Sequence, residues 1–183
     1  MPEFPSTESK HLELAQALTK RERLRAEGKV LVFTNGCFDL LHEGHVRYLE
    51  EARAEGDVLW VAINSDASVR RLKGPGRPVR AQARREELLS RLECVDAVLI
   101  FEEEHVTPLL LKLSPDLYAK GGDYNLGTID PGLREALEKS CIQVRFLSQV
   151  PGISTTLLLE KLSPEELQRL NHSGAVATCP AAS

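Results

Sequence analysis

The chain has 183 residues, a formal net charge of −4 and 42% hydrophobic residues. These values describe one soluble globular domain that is long enough to bury a core. No apolar run is long enough to span a membrane, the N-terminus lacks the basic and then apolar order of a signal peptide, and the four cysteines form no CxxC pair. We therefore expect a cytoplasmic protein with free thiols, and neither a membrane nor a nucleic acid as its partner.

The N-terminal part of the chain is predicted to be a helix. Leu12 to Glu27 carries leucine and alanine at helical spacing and is followed by Gly28, a residue type that commonly ends helices. We assign residues 1–28 to a helical extension ahead of the main domain. The apolar positions of this helix suit packing against the core and suit a homodimer interface equally well.

From residue 29 onward, apolar strand patterns alternate with helical patterns. The continuous apolar run at 58–63 indicates a strand that is covered on both faces. The alternation predicts an α/β fold, a Rossmann-like parallel sheet with helices on both faces, in which ligands bind at the carboxyl ends of the strands. The predicted strands are 30–33, 57–64, 97–101, 116–120 and 142–147, and the predicted helices are 44–55, 81–92, 106–113, 131–140, 154–161 and 163–170. We expect the domain to span 29–170 and residues 171–183 to form a disordered tail.

The segment from Thr34 to His45 joins the first strand of the domain to the next helix and predicts a phosphate site. Gly36 permits close approach of the backbone, and the helix start near Gly44 offers unpaired NH groups and the positive end of a helix dipole. His42 and His45 are three positions apart, so both rings can donate to oxygens of the same phosphate. This makes them the candidate catalytic pair. The candidate nucleotide-binding residues of the segment are Thr34, Asn35, Gly36 and Phe38.

Three other interpretations of this segment, as structural histidines, a zinc site or a cysteine nucleophile, fit the sequence less well. Histidines in a turn are often structural residues, and a zinc site would need a third ligand, for which no second cluster with metal spacing is present in the sequence. Cys37 lies in the same turn, but it precedes the apolar Phe38 and has no adjacent base, so we expect a small buried side chain rather than a nucleophile. The order of strand, glycine turn and paired histidines favours phosphate chemistry.

A basic segment follows the second strand. Residues 70–85 include seven basic residues and no acidic one. Within them, residues 73–78 form a Gly/Pro loop that looks mobile and that can lay Lys73 across a polyphosphate and close over it, which makes Lys73 the third catalytic candidate. A solvated surface loop or a weak nucleic-acid patch fits the same residues equally well. Arg84 and Arg85, on the next predicted helix, are expected at the surface.

Two further segments lie at a predicted strand end and a predicted helix start. At the end of the strand at 116–120, two glycines let the backbone come close to a flat ligand. Lys120 can bind a phosphate there, and Asp123 can accept a hydrogen bond. An ordinary glycine turn is the alternative interpretation. Hydroxyl side chains at the later helix start either cap that helix or donate to phosphate. The nucleotide-binding candidates in these segments are Lys120, Gly121, Gly122, Asp123, Ser154, Thr155 and Thr156. Their placement at strand ends and helix starts favours one common site.

Together these motifs resemble a known family. Residues 33–45 resemble the HxGH signature of the cytidylyltransferase-like nucleotidyltransferases, and residues 152–156 resemble the second signature of the same family. More narrowly, residues 64–68, 71–74, 77–78 and 120–124 resemble the D-glycero-β-D-manno-heptose 1-phosphate adenylyltransferases. Residues 149–152 depart from the Arg-Thr-Glu-Gly lead of the glycerol-phosphate cytidylyltransferases, which weakens a cytidylyl interpretation.

The resemblance implies a nucleotidyltransferase domain in which a sugar 1-phosphate attacks the α-phosphorus of ATP. The products would be pyrophosphate and an ADP-sugar for a bacterial surface polysaccharide, with Mg²⁺ bridging the phosphates and a separate sugar kinase acting earlier. His42 and His45 would stabilise the transferring phosphate, Lys73 and residues 154–156 would hold the triphosphate, and residues 120–123 would line the nucleoside pocket. The alternatives are a cytidylyltransferase acting on a polyol phosphate and a non-catalytic nucleotide-binding module.

Overall fold

The computed structural model of the protein describes residues 10–121 and 127–147, and within them helices and strands alternate. The strands are β1 (Leu31–Gly36), β2 (Val58–Asn64), β3 (Ala97–Phe101), β4 (Leu117–Gly121) and β5 (Gln143–Leu147). The helices are α1 (Leu14–Ala26), α2 (Glu43–Ala54), α3 (Asp66–Lys73), α4 (Gln82–Ser90), α5 (Thr107–Leu113) and α6 (Pro131–Glu138). The five predicted strands are therefore all present in the described part of the chain. The helices predicted at 154–161 and 163–170 lie outside the described residues.

The described strands form a single parallel sheet with the order β3-β2-β1-β4-β5. Strand β1 lies in the middle, where Phe33 pairs with Trp60 of β2 on one side and with Tyr118 of β4 on the other. The chain builds outward from β1 through β2 to β3 and then crosses back to place β4 on the opposite side. This reversal creates a switch point at the carboxyl ends of β1 and β4, where ligands bind in sheets of this kind.

Helices cover both faces of the sheet, as predicted. Alternate residues of β1 enter two different apolar clusters because successive side chains of a strand point to opposite faces. Phe33 is buried with Leu24 of α1 and Leu110 of α5, whereas Val32 is buried with Leu49 of α2. Strand β2 is buried along almost its whole length, which explains its continuous apolar sequence.

Helix α1 packs against the domain through one face. Ala17 and Leu24 are buried in the core, and the buried Arg21 donates to the carbonyl oxygen of Ser114 at 3.0 Å and to Oδ1 of Asp116 at 2.9 Å. The core-packing interpretation of this helix is therefore correct. Leu14 and Leu18 on the same helix are exposed, and a homodimer through them stays a prediction.

Two elements differ from the sequence prediction. Strand β1 continues to Gly36, so the residues expected to form a turn include the last pairs of the β1–β2 ladder. Helix α3 was not predicted because the eight-residue helix buries only Ser68 and Val69, too few for an apolar period to be recognised. Its local signals are the cap formed by Ser65, whose side chain accepts from the backbone N of Ser68, and Asp66 in the first turn.

Candidate active site

A cavity of about 540 Å³ lies at the carboxyl ends of β1, β2 and β4 and beside the start of α2. This is the switch point of the sheet. The sequence candidates that line the cavity are Asn35, Gly36, Phe38, His45, Lys73, Lys120 and Gly121. His42 and Thr34 are not among the lining residues, although both lie next to residues that are. Segments far apart in the sequence thus meet at one site, as their positions at strand ends and helix starts predicted.

The two histidines stack on each other at the beginning of α2. His42 is the N-cap residue, its carbonyl oxygen accepts from the backbone N of His45 at 2.9 Å, and the ring centroids are 3.8 Å apart with an interplanar angle of 25°. The His42 side chain makes no capping hydrogen bond, and its buried Nδ1 has no hydrogen-bond partner among the described residues. The backbone NH groups of Glu43 and Gly44, which donate to none of the described residues, therefore remain for a ligand at this helix start.

Burial favours the neutral form of both imidazoles. It lowers the pKa of His42 below its ordinary value. Burial, together with the charge of His42, lowers the pKa of His45 to about 4, and a hydrogen bond with the backbone of Leu40 opposes this only in part. A neutral imidazole carries one NH donor, so the ring of His42, which makes no hydrogen bond with the described residues, can stabilise a phosphate oxygen without adding a charge. The ring of His45 can do the same only if it exchanges its hydrogen bond with Leu40 for one to the phosphate.

Phe38 and Gly36 shape the turn that supports His45. The Phe38 ring lies 5.2 Å from the His45 ring, and its backbone has a φ of 46°, in the left-handed region that few non-glycine residues adopt. A Cβ atom at position 36 would stand 2.9 Å from Cε2 of Phe38, so only glycine fits beneath this ring. In the described structure the group beside Gly36 is the Phe38 ring, and the close approach of Gly36 to a phosphate stays a prediction.

Thr34 and Tyr48 connect the site to the sheet. Thr34 is fully buried, and its hydroxyl lies 2.5 Å from the hydroxyl of Tyr48, which also donates to the carbonyl oxygen of Ala119 at 3.0 Å. Burial raises the pKa of Tyr48 above its ordinary range, so the hydroxyl stays protonated. We infer that Thr34 supports α2 from below, and its assignment to nucleotide binding stays a prediction. Tyr48 was missed, although its position three residues after His45 places it on the same helix face.

Asn35 and Lys120 form the wall of the cavity at β1 and β4. The Asn35 side-chain oxygen accepts a hydrogen bond from the Tyr118 hydroxyl at 2.5 Å and lies 3.5 Å from Nζ of Lys120. Burial lowers the pKa of Lys120 from its ordinary value. A Cβ atom at Gly121 would stand 2.7 Å from the Tyr48 ring, so a glycine is required where β4 passes α2. Lys120 and Gly121 are thus placed as the sequence predicted.

Lys73 is the last residue of α3 rather than part of the loop that follows it. The side chain is exposed, lines the cavity, and makes no hydrogen bond or ion pair with the described residues. Gly74 and Gly76 come next with φ values of 88° and 85° and open space around them. From residue 77 onward the loop is held in place, because Arg77, Val79 and Arg80 all donate hydrogen bonds to the buried carboxylate of Asp39.

The expectation that Arg85 lies at the surface is wrong. Its side chain is fully buried and donates to the carbonyl oxygens of Cys37 and Arg80 at 2.7 and 2.9 Å and to Oδ1 of Asp66 at 2.8 Å. Arg85 thereby ties the β1–α2 turn to α3 and to the loop before α4. The neighbouring Arg84 is exposed, as predicted. The burial of this arginine was not visible in the sequence because two of its three partners, Cys37 and Asp66, are 48 and 19 residues away along the chain.

Cys37 lines the cavity but is poorly suited to act as a nucleophile. Burial raises the pKa of its thiol, although the charges of Lys73 and Arg85 oppose the shift. Its Sγ lies 3.8 Å from the side-chain oxygen of Asn64, which is itself buried beside the cavity and was not predicted from the sequence. The thiol stays protonated at neutral pH, in agreement with the expected role as a small, largely buried side chain.

Five predicted nucleotide-binding residues lie outside the described residues, so their assignment stays a prediction: Gly122, Asp123, Ser154, Thr155 and Thr156. Across the ranges 10–121 and 127–147, no group of three or more His, Cys, Asp or Glu side chains is arranged to hold a metal ion. No helix in those ranges is both long and apolar enough to cross a membrane.

Known proteins that are similar to this chain include longer ones. The bifunctional protein HldE of Ectopseudomonas mendocina is 49% identical over 151 residues, which are 82% of this chain and 32% of that protein. The bifunctional protein HldE of Geotalea uraniireducens is 48% identical over 153 residues, 84% of this chain and 30% of that protein. The chain therefore spans about a third of the length of these curated relatives.

Solved structures and a family model agree with the fold. A lipopolysaccharide core biosynthesis protein from Thermoplasma volcanium is 30% identical with a TM-score of 0.55, and the match covers 67% of this chain and 98% of that one. A pantoate-β-alanine ligase from Francisella tularensis has a TM-score of 0.62 over 88% of this chain and 76% of that one, at 16% identity, and so shows the fold alone. The cytidylyltransferase-like family model matches residues 33–161. The chain belongs to the cytidylyltransferase-like family, as its motifs predicted.

Proposed function

We propose that this protein transfers the AMP group of ATP to a sugar 1-phosphate, D-glycero-β-D-manno-heptose 1-phosphate, and releases pyrophosphate and an ADP-sugar. The observation that carries the proposal is the stacked pair of neutral histidines at the start of α2, next to a cavity that is also lined by Lys73 and Lys120. Family membership supports nucleotidyl transfer, and the similarity to a lipopolysaccharide core biosynthesis protein supports a surface-polysaccharide sugar as acceptor.

In the proposed reaction, an oxygen of the sugar phosphate forms a bond to the α-phosphorus of ATP while the bond from that phosphorus to the bridging oxygen breaks. The bridging oxygen and its electron pair leave with pyrophosphate. A sugar phosphate dianion has no proton to lose before it attacks, so the reaction needs no general base. The low pKa of His45 is therefore no obstacle, because the ring is required as a donor.

Different residues would stabilise the charge on different phosphates. His42, His45 and the first NH groups of α2 would donate to the transferring phosphate, and Lys73 would bind the triphosphate. Lys120 and Gly121 would lie beside the nucleoside end. Mg²⁺ would enter with ATP as the magnesium complex of the substrate, since it is commonly held by substrate phosphates and one or two carboxylates. The described residues supply donors for those phosphates and no cluster of metal ligands.

A pyrophosphate-release assay with ATP or CTP and a panel of sugar and polyol phosphates tests the proposal. We expect turnover with ATP and the heptose 1-phosphate, with the ADP-sugar identified by mass spectrometry. Preference for CTP and a polyol phosphate would replace the proposal by the cytidylyl alternative. Nucleotide binding without turnover of any pair would support a non-catalytic module.

A further inference from the structure

Asp39 is a buried carboxylate that holds one particular arginine at the cavity. Its side chain is 1% exposed, and Oδ2 accepts from Nε of Arg77 at 2.6 Å. Oδ1 accepts from the backbone N of Val79 at 2.7 Å and of Arg80 at 2.9 Å. Three donors thus fix the carboxylate, and through it both the loop backbone and the Arg77 side chain are fixed. Neither Asp39 nor Arg77 has a part in the reaction proposed above.

Arg77 is anchored through only one of its three guanidinium nitrogens. Its two terminal nitrogens donate to none of the described residues, the side chain is 23% exposed, and the residue lines the cavity. The planar guanidinium carries five NH donors in a fixed fork, so two terminal groups remain for a ligand. Such a fork matches the oxygens of a phosphate, and the ion pair with Asp39 reduces the side-chain entropy that binding would cost.

Position distinguishes Arg77 from Lys120 and Gly121, and anchoring distinguishes it from Lys73. Lys120 and Gly121 lie at the end of β4, on one side of β1, whereas the loop that carries Arg77 follows α3 and therefore β2, on the other side. Lys73 is exposed and unpaired among the described residues and is followed by an open glycine, so it can move with a triphosphate that must leave as pyrophosphate. A rigidly held cation is better suited to fix an attacking group, which needs a defined distance and direction.

On these grounds we propose that Arg77 binds the phosphate of the acceptor sugar 1-phosphate and that Asp39 is the positioning residue for Arg77. The proposal rests on the proposed function, because it assumes that the acceptor is a phosphate monoester. The fixed cation offsets the repulsion between the acceptor dianion and the negatively charged triphosphate. It also sets the direction from which the attacking oxygen approaches the α-phosphorus.

Steady-state kinetics of Arg77→Gln, Arg77→Lys and the matched control Arg80→Gln test the assignment. Arg80 lies in the same loop and carries the same charge, but it does not line the cavity. Loss of a hydrogen bond to a charged group predicts a rise in the KM for the sugar phosphate of about tenfold to hundredfold in Arg77→Gln, with the KM for ATP changed less than about twofold. The KM for the sugar phosphate should rise less in Arg77→Lys, because lysine keeps the charge and loses only the forked geometry of the guanidinium. Both KM values of Arg80→Gln should equal those of the wild type.

The role of Asp39 is tested by Asp39→Asn and by the double variant with Arg77→Gln. We expect Asp39→Asn to raise the KM for the sugar phosphate selectively, and the double variant to show no further rise. Both substitutions abolish the same ion pair between Asp39 and Arg77, so their effects should not add. A larger rise in the KM for ATP than for the sugar phosphate in Arg77→Gln would assign Arg77 to the triphosphate. Equal rises in both KM values, or unchanged values in this folded variant, would also overturn its assignment to the acceptor. If Asp39→Asn does not fold, the comparison of Arg77→Gln with Arg80→Gln still decides the matter.

Equilibrium binding separates failure of this inference from failure of the proposed function. Calorimetric titration of the sugar phosphate without ATP should show weaker binding to Arg77→Gln than to Arg80→Gln, whether or not turnover occurs. If the wild type used another acceptor phosphate with CTP, the proposed function would be wrong, and the same variants would test Arg77 with that acceptor. Absence of any binding of an acceptor phosphate to the wild type would overturn the inference.

Discussion

Lowering the pH should destabilise the folded protein through His45. Burial and the charge of His42 lower the pKa of His45 from 6.5 to about 4. As the pH falls below 6.5, the unfolded chain binds a proton at this residue that the folded chain does not, so the free energy of unfolding decreases until the pH reaches about 4. Between about pH 7.5 and about pH 5 the decrease due to this one group is ~2 kcal/mol.

Urea denaturation of the wild type and of His45→Gln over this pH range measures the effect. Other titrating groups contribute almost equally to both proteins, so the difference between their pH slopes reports His45. The wild type should lose ~2 kcal/mol more than the variant on going to about pH 5. His42→Gln should reduce this extra loss in part, because the charge of His42 contributes to the shift at His45. Equal pH slopes, or an NMR titration of the His45 ring near its ordinary pKa of 6.5, would refute the reasoning.

Three further predictions concern turnover. His42→Ala should lower kcat by about a hundredfold in a variant whose circular dichroism is unchanged, as loss of one transition-state donor typically does, and near-normal kcat would remove His42 from the mechanism. Lys73→Ala should raise the KM for ATP or lower kcat, with the KM for the sugar phosphate changed less; the opposite selectivity would assign Lys73 to the acceptor. Cys37→Ser should keep most of the activity, and an α-thiophosphate substrate should react with inversion at phosphorus, whereas net retention or a trapped nucleotidylated enzyme would indicate covalent catalysis.

The sequence predicts the sheet well because its signals are local. A continuous apolar run, as in β2, or glycine and proline at an element boundary, identifies a strand or a helix end within a few neighbouring residues. The histidine pair was found for the same reason, since His42 and His45 lie within one turn. Helix α3 was missed because its buried face is too short for a period to appear. The N-cap residue Ser65 was the local sequence signal that could have identified this helix.

The residues that hold the site together were not predictable in this way. Asp39 and Arg77 are 38 residues apart, and Arg85 reaches Cys37 across 48 residues, so no spacing rule links them. A lone aspartate in a turn and an arginine on a helix each have an ordinary surface interpretation. Only the fold shows that these charges are buried and paired. Sequence patterns therefore reveal the groups that meet the substrate more readily than the groups that position them.

The two kinds of donor at the cavity differ in burial, and this difference assigns them different tasks. His45 is partly buried, and the desolvation that lowers its pKa favours the neutral ring, so in the proposed reaction its contribution would be a directed NH rather than a charge. Lys73 is exposed, so in the proposed reaction its charge would attract the triphosphate from solution. Lys120 is largely buried, and desolvation lowers its pKa. An anion placed beside Lys120 would offset that cost, because an opposite charge favours the protonated form.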